Sequence, residues 1–296
     1  MFKAGGESMN LIAIDLDGTM LSGKGTISHN NREAVRRAQA EGNIVVIVSG
    51  RAFQDIIEIL KDAKLECPII AANGALIYHD GRVIQNLYLD GNTVKDLLKI
   101  SEKLGIYYEL YTNKGIYQLE NEKMNIMKEI SSLRKKDLAF SEHKANQMMV
   151  TQYKQKGIIN VLDKQEILLE KSLAVTKFFM ISFDLEKHKW LERELEKRAD
   201  LTVIKSDIQK FEIAHPKVSK GNALQAFANF IGIPLNRVTA IGDNLNDISM
   251  FCVSGTSIAM GNAVEAIKNI ATYVTKSCDE DGVAYGIQHY IIQKDK

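Results

Sequence analysis

The chain is poor in features that identify several common protein classes. Its 296 residues include only three cysteines, Cys67, Cys252 and Cys278, odd in number and far apart, with no CxxC and no Cys/His cluster. That argues against a disulfide framework or a structural zinc site, and fits small apolar residues in a reducing compartment. No apolar run approaches the roughly 18 residues that a membrane span needs. Residues 1–8 carry no signal-peptide core and read as an extension ahead of the fold, because Met9 can start the first strand directly. A cytoplasmic protein is therefore expected. Lys and Arg number 38 against 37 Asp and Glu, a formal net charge of +1. This balance gives no reason to expect a nucleic acid polymer or an anionic membrane as partner. GxGxxG, GxSxG and HExxH are missing, and the six histidines are scattered. Dinucleotide binding, serine hydrolysis and zinc proteolysis are left without their motifs.

What is present is ordinary in bulk and specific in pattern. Hydrophobic residues make up 45% and charged residues 25%, and the length suggests about two domains. The first part alternates strand and helix patterns: a strand at 11–16, a helix at 30–41 ended by Gly42, and a strand at 44–48. A helix at 53–61 and a short strand at 69–72, closing at Asn73-Gly74, follow. The continuous β-branched run Ile44-Val45-Val46-Ile47-Val48 is how a strand buried on both faces reads. The last part resumes the pattern, with helices at 220–231, 247–252 and 263–271 and strands at 238–241, 257–260 and 273–275. Such alternation predicts right-handed βαβ crossovers and a parallel sheet. The middle, about 87–213, has longer helices and alternating strands. Asn113-Lys114 separates Tyr107–Thr112 from Gly115–Leu119, a hairpin signal. A strand at 177–183, a charged helix at 187–198 and a second hairpin of 201–206 with 210–213 complete an α+β unit on an antiparallel sheet, inserted into the α/β core. The segment 142–156 reads as irregular.

The chemistry-bearing residues fall where strands end. Leu11-Ile12-Ala13-Ile14-Asp15-Leu16-Asp17-Gly18-Thr19 is a short apolar run that stops in two carboxylates. If the strand runs through Asp17, the two-residue period puts Asp15 and Asp17 on one face. Burying both without a counter-charge costs several kcal/mol by order of magnitude, and a divalent cation would relieve this. A plain strand running into an Asp-Gly turn is the alternative. Ser49-Gly50-Arg51 follows the 44–48 strand; a hydroxyl and free N–H groups at a helix start suit an anion, or simply cap the helix. Gly242-Asp243-Asn244-Leu245-Asn246-Asp247 follows the 238–241 strand with hard oxygen donors of the kind Mg²⁺ takes, and its spacing excludes an EF-hand. Lys220, in Val218-Ser219-Lys220-Gly221, stands at the end of a helix disfavoured for a cation, and solvated surface is its simplest alternative. A metal, a lysine, a hydroxyl and free N–H groups together suit phosphate. Gly18 to Gly25 nearly matches GxxxxGK[ST], but Gly25 offers no hydroxyl and no clear helix follows Lys24, so the match is read as coincidence.

Taken together, these segments resemble the haloacid dehalogenase superfamily of phosphotransferases. Asp15-Leu16-Asp17-Gly18-Thr19 resembles its first motif, Ser49 its second, Lys220 its third and the 242–247 segment its fourth. The stretches Ser49-Gly50-Arg51, Ala72-Asn73-Gly74-Ala75, Ser219-Lys220-Gly221 and Ala259-Met260-Gly261-Asn262-Ala263 are typical of the Cof-type (subfamily IIB) phosphatases. The resemblance implies a Rossmann-like, doubly wound parallel α/β core of residues 9–86 and 214–296, with an inserted α+β cap of residues 87–213. It implies a Mg²⁺-dependent phosphatase that forms an aspartyl-phosphate on Asp15, with Asp17 as general acid and then base. Mg²⁺ would be held by the Asp15 carboxylate, the Asp17 backbone carbonyl and the Asp243 carboxylate, so the Asp17 side chain should point away from the metal. Phosphate would meet the backbone at Leu16 and Gly50, the Ser49 hydroxyl, Lys220 and Asn246, with Thr19 and Asp247 supporting the geometry. The expected partner is a small phosphorylated metabolite: a sugar phosphate, a nucleotide, or a flavin- or pyridoxal-type phosphate. A phosphomutase or phosphotransferase using the same aspartyl-phosphate is the alternative, and a non-catalytic phospholigand binder would need neither nucleophile nor acid. Tyr107, Tyr108, Tyr111 and Tyr117, with Lys114 in the hairpin turn, either contact the leaving group or pack and solvate the cap.

Overall fold

Leu11–Asp15 (β1) is buried along its whole length, and the β-branched run Ile44–Val48 (β2) pairs with it in parallel. The computed structural model describes residues 9–205 and 208–292. The expected extension 1–8, Ser206 of the expected strand 201–206, and residues 293–296 of the expected core lie outside the described residues. Helices His29–Ala40 and Phe53–Asp62 connect β1, β2 and Ile69–Ala71 (β3), which extends the parallel sheet. Ser28 caps the first helix by accepting from the Asn31 backbone N–H. Two strands that the sequence reading did not anticipate follow: Leu76–His79 (β4), antiparallel to β3, and Arg82–Asn86 (β5) at the sheet edge. Asp80 and Gly81 between them both have positive φ, as a tight hairpin turn with the strands' twist requires.

The chain divides into two compact units, one of residues up to Gln85 and from Ser219 onward, the other Asn86–Val218. The second break lies beyond the expected 213/214 because the chain remains with the second unit's sheet through Ala214 and then turns at 215–218. That sheet holds Tyr107–Thr112 (β6), Ile116–Leu119 (β7), Ile158–Val161 (β8), Val175–Ile181 (β9), Thr202–Ile204 (β10) and Lys210–Ala214 (β11), in the order β10-β11-β9-β6-β7-β8. Every pairing is antiparallel except β7 with β8, a strand absent from the sequence reading. Alternation separates the two faces. Tyr108, Leu110, Tyr117, Phe178, Met180, Phe211 and Ile213 join helices Gly91–Leu104 and Leu185–Leu195 in one apolar core. On the other face Glu109 is fully buried, accepting from Tyr107 Oη at 2.5 Å, Gln152 Nε2 at 2.6 Å and Gln118 Nε2. Lys177 pairs with Glu212 at 2.7 Å, and its Nζ sits 3.8 Å from the Tyr111 ring centroid. All four tyrosines of the sequence reading are buried, and Lys114 pairs with Glu170 at 3.2 Å. The expectation of irregular structure at 142–156 is corrected: Glu142–Tyr153 is a helix capped by Ser141. Its buried residues, Ala145, Met149 and Gln152, stand at i, i+4 and i+7, too narrow a stripe to stand out in a polar sequence.

On returning to the first unit the chain forms helix Lys220–Ile231, then Val238–Gly242 (β12), Thr256–Ala259 (β13) and Tyr273–Val274 (β14). The complete sheet runs β14-β13-β12-β1-β2-β3-β4-β5, and its six strands from β14 to β3 are mutually parallel. The last helix of the sequence reading, 263–271, shrinks to Glu265–Lys268 within a series of turns. β1 is the switch point: its first neighbour β2 follows it in the chain, while β12 on its other side comes from the far end. In open α/β sheets, ligand sites form where strand order reverses, outside the carboxyl ends of the strands. Register brings three of those ends level, with Ile14 opposite Ile241 and Asp15 opposite Val48.

Candidate active site

Asp15 is the last residue of β1 and is buried. Leu16–Met20 then makes a tight turn that Gly18 permits at φ +75°. The strand therefore ends before Asp17, and the expectation that alternation places both aspartates on one face is corrected. Asp15 shares its space with Asp243, just past β12, and Asp247; one carboxylate oxygen from each lies within 4.8 Å of the others. Asp17 instead turns out to Arg51, with Arg51 Nε donating to Oδ2 at 2.8 Å and Nη2 to Oδ1 at 2.7 Å. The Asp17 side chain thus lies outside the group formed by the Asp15, Asp243 and Asp247 carboxylates.

Lys220 supplies the counter-charge. It is the first residue of its helix, after Ser219 at the N-cap, and only 1% of its side chain is exposed. Its Nζ donates to Asp15 Oδ1 and Asp247 Oδ1, both at 2.5 Å. Burial alone would lower its pKa, but the two carboxylates outweigh burial and raise it, so the ammonium is retained. Burial raises Asp15 well above the usual carboxylate range; Lys220 opposes this, and Asp247 and Asp243 add to it. Asp243 is pushed up to about 6 by burial and by Asp247, with Thr19 Oγ1 donating to its Oδ1 at 3.0 Å. Three clustered carboxylates with one lysine leave an excess of negative charge and hard oxygen donors, which suits a small divalent cation. Asp247 is the most committed of the three. Its Oδ1 accepts from Lys220, and its Oδ2 accepts from the backbone N–H groups of Asp243 at 2.9 Å and Asn244 at 3.0 Å. Asp15 and Asp243 retain the more available oxygens.

Close packing holds these loops together. A Cβ on Gly18 would lie 2.4 Å from Asp243 Oδ2, and one on Gly74 would lie 2.4 Å from the Ser219 carbonyl oxygen. Ala72 and Asn73 also have positive φ, +49° and +55°, so this loop stores backbone strain of order 1–3 kcal/mol per residue. The strain places Asn73 centrally. Its backbone N–H donates to the Ser49 carbonyl at 2.9 Å, and its Oδ1 accepts from Asn246 Nδ2 at 3.1 Å. Ser49 is buried at the end of β2, its Oγ accepting from the Arg51 backbone N–H at 3.2 Å, and Gly50 lies against the Asn73 amide. Asn262 Nδ2 donates to the Gly18 carbonyl at 2.8 Å and ties the 259–263 stretch to the first turn.

Asp15, Thr19, Lys220, Asp243 and Asp247 thus form one connected group, and Ser49, Gly50 and Asn246 meet around Asn73. Leu16 is buried at the turn. Arg51, Asp55 and Asn73 are the residues that sequence reasoning gave no role. The i, i+4 spacing of Arg51 and Asp55 was the available signal for two of them. The near match to a phosphate loop is not one structurally: Leu21 bridges back to Ile27, and Gly23 N–H bonds Asp279 at 2.8 Å.

Comparison with known proteins shows the family of the chain. Residues 12–287 match the family of haloacid dehalogenase-like hydrolases. The chain is 36% identical to the phosphatase YwpJ of Bacillus subtilis, over 96% of this chain and 100% of that protein. It is 37% identical to the B. subtilis 5-amino-6-(5-phospho-D-ribitylamino)uracil phosphatase YwtE, over 96% and 98% of the two chains. A solved haloacid dehalogenase-like hydrolase from B. subtilis superposes with a TM-score of 0.83 at 36% identity, covering 96% of this chain and 100% of that one. The chain therefore belongs to the haloacid dehalogenase-like hydrolases, in their Cof-type phosphatase branch, and is a phosphoric monoester hydrolase.

Proposed function

We propose that the protein hydrolyses a small phosphorylated metabolite through an aspartyl-phosphate on Asp15, with Mg²⁺ as its metal. The observation that carries this is the buried Asp15–Lys220–Asp247 arrangement beside Asp243, at the carboxyl ends of adjacent strands. A carboxylate attacks a phosphate dianion poorly because both are negative. Bound Mg²⁺ would supply neutralising charge at the transferring group. Asp15 and Asp243 carboxylates with the Asp17 carbonyl are its assigned ligands. Lys220 holds a positive charge against Asp15 Oδ1, and Asp247 fixes both Lys220 and the backbone before Leu245. The phosphate is assigned to the backbone at Leu16 and Gly50, the Ser49 hydroxyl, Lys220 and Asn246. In the first step the Asp15 oxygen bonds to phosphorus, the ester P–O bond breaks, and the leaving oxygen takes a proton from Asp17. In the second, water attacks phosphorus, the bond to Asp15 breaks, and Asp17 takes the water's proton.

The inserted unit is assigned the family's cap role of distinguishing leaving groups. Among relatives, YwtE is named for a phosphorylated ribitylamino-uracil, so that compound and open-chain sugar phosphates head the substrate panel. The test is phosphate release from such a panel and from an aryl phosphate, with Mg²⁺ and with chelator. Turnover should require Mg²⁺ and vanish in Asp15→Asn; an Asp15→Asn enzyme as active as wild type overturns the assignment.

A further inference from the structure

We propose that Asn73 is a positioning residue for phosphate binding, its side chain fixing the direction in which the Asn246 amide faces; the inference rests on the phosphatase reading above. The turn that joins β3 to β4 sets Ala72 and Asn73 at positive φ. Glycine would meet that backbone demand without strain, so the backbone alone does not call for an asparagine. Asn73 is nevertheless only 1% exposed, and burying an amide is unfavourable unless its polar atoms are bonded. Its Oδ1 accepts from Asn246 Nδ2 at 3.1 Å. The amide also packs on Gly50, where a Cβ would lie 3.1 Å from both Nδ2 and Oδ1. The loop itself is clamped. The Ala72 and Asn73 N–H groups donate to the Arg51 and Ser49 carbonyls, each at 2.9 Å, and Gly74 has no room for a Cβ against the Ser219 carbonyl. One strained loop thus touches three of the segments assigned to phosphate: those of Ser49-Gly50, Lys220 and Asn246.

Asn246 is half-buried in the turn Leu245–Asp247. Its amide has a donor end and an acceptor end of nearly the same shape, and half a turn exchanges them. Only the donor end suits an anion. The acceptor Oδ1 of Asn73 selects the orientation with Nδ2 toward Asn73, and the second hydrogen on that nitrogen then serves the phosphate. Because Asn73 is held by its closely packed loop, this orientation is set before phosphate arrives, which lowers the cost of ordering Asn246 on binding. Without the Asn73 side chain the Asn246 amide can turn. Its hydrogen bond to phosphate is then weakened in the bound ester, in the transition state and with free inorganic phosphate alike.

The experiment uses full-length protein with Mg²⁺ and 4-nitrophenyl phosphate, with inorganic phosphate as the competing ligand. Wild type, Asn73→Gly, Asn246→Ala and the double variant form a mutant cycle, and circular dichroism melts check each fold. Asn73→Gly keeps the positive φ and the backbone bond to Ser49 and removes only the side chain. Expected for Asn73→Gly is a fall in kcat/KM of about 10- to 100-fold, the worth of one hydrogen bond to a charged group. The inhibition constant for inorganic phosphate should rise by a similar factor. Asn246→Ala should match it, and adding Asn73→Gly to Asn246→Ala should change kcat/KM by less than about twofold, because the two residues act as one unit. Asn73→Ser, whose hydroxyl is too short to reach Asn246, gives the same comparison if the glycine variant does not fold. Losses that multiply in the double variant would mean that Asn73 acts independently of Asn246, and overturn the proposal. So would a lowered melting temperature with unchanged kcat/KM and phosphate inhibition, which is a purely structural role, or an Asn246→Ala enzyme as active as wild type. Wild type failing to turn over, or Asp15→Asn keeping activity, instead removes the phosphatase reading.

Discussion

Replacing Lys220 by methionine tests how the site balances charge. The substitution keeps most of the volume, so cavity formation contributes little, and the effect is electrostatic. The ammonium is 1% exposed and 2.5 Å from both Asp15 and Asp247, the latter fully buried. Removing one partner of a buried ion pair costs about 3–5 kcal/mol, because the remaining charge is left without compensation. Two carboxylates are stranded here, yet Asp15 already lies well above the usual carboxylate range and can take up a proton. We therefore expect a loss of about 4 kcal/mol near neutral pH in chelator, and a smaller one as pH falls and the carboxylates protonate. With a urea dependence of about 2 kcal/mol per molar, the midpoint should drop by about 2 M. Urea titration followed by far-UV circular dichroism reads this, while the single tryptophan, Trp190, reports on the second unit alone. Adding Asp15→Asn to Lys220→Met removes one stranded charge and should recover about 1–2 kcal/mol. A loss below about 1 kcal/mol, or no recovery in the double variant, would refute the view that Lys220 balances these carboxylates.

Three further outcomes follow from the same geometry. Asp15→Asn should fold and lower turnover of an aryl phosphate by at least about 10³-fold; phosphate release is the readout. Gly18→Ala forces φ +75° on a residue with a Cβ and sets that carbon 2.4 Å from Asp243 Oδ2. It should cost about 1–3 kcal/mol and raise the Mg²⁺ concentration needed for half-maximal activity, as a metal titration would show. In metal-free protein the folded Asp243 carboxyl is pushed up to about 6, above its unfolded value. The folded state then holds a proton that the unfolded chain has released, so this contribution is full below about pH 4 and is lost as pH rises through 6. It amounts to at most about 3 kcal/mol; thermal melts in chelator from pH 4 to 7.5 should fall accordingly, and added Mg²⁺ should restore the high-pH side. Melts that rise across that range would contradict the assignment.

Much of the core was legible because its code is local. Ile44–Val48 could be read residue for residue, since a parallel strand buried on both faces needs an unbroken β-branched run. The start of the 220–231 helix and the polar segments after β2 and β12 were legible for a similar reason. Elements with weak or narrow patterns were not. Glu142–Tyr153 buries a stripe of three residues in a polar sequence, and β8 gains its apolar partners only by pairing with β7. The β4–β5 turn carried a usable signal in Asp80-Gly81, which a reading centred on parallel strands passed over.

The chain's own order of residues determined which chemistry is available: carboxylates, a hydroxyl, a lysine and amides, each at the end of an apolar strand or the start of a helix. Strand ends follow from local hydrophobicity and turn residues, so their positions are written in the sequence. Which charges neutralise which was decided by the tertiary structure. Asp15 and Asp17 are neighbours in sequence but serve different partners, because the strand ends at Asp15 and Gly18 turns the backbone away. Lys220 reaches across 205 positions to Asp15, and Asp247 spends its oxygens on Lys220 and on backbone N–H groups. Arg51 became legible only when its fork was seen to bridge exposed Asp17 and buried Asp55. Electrostatic pairing depends on distance and burial, and both are set by how the sheet orders its strands.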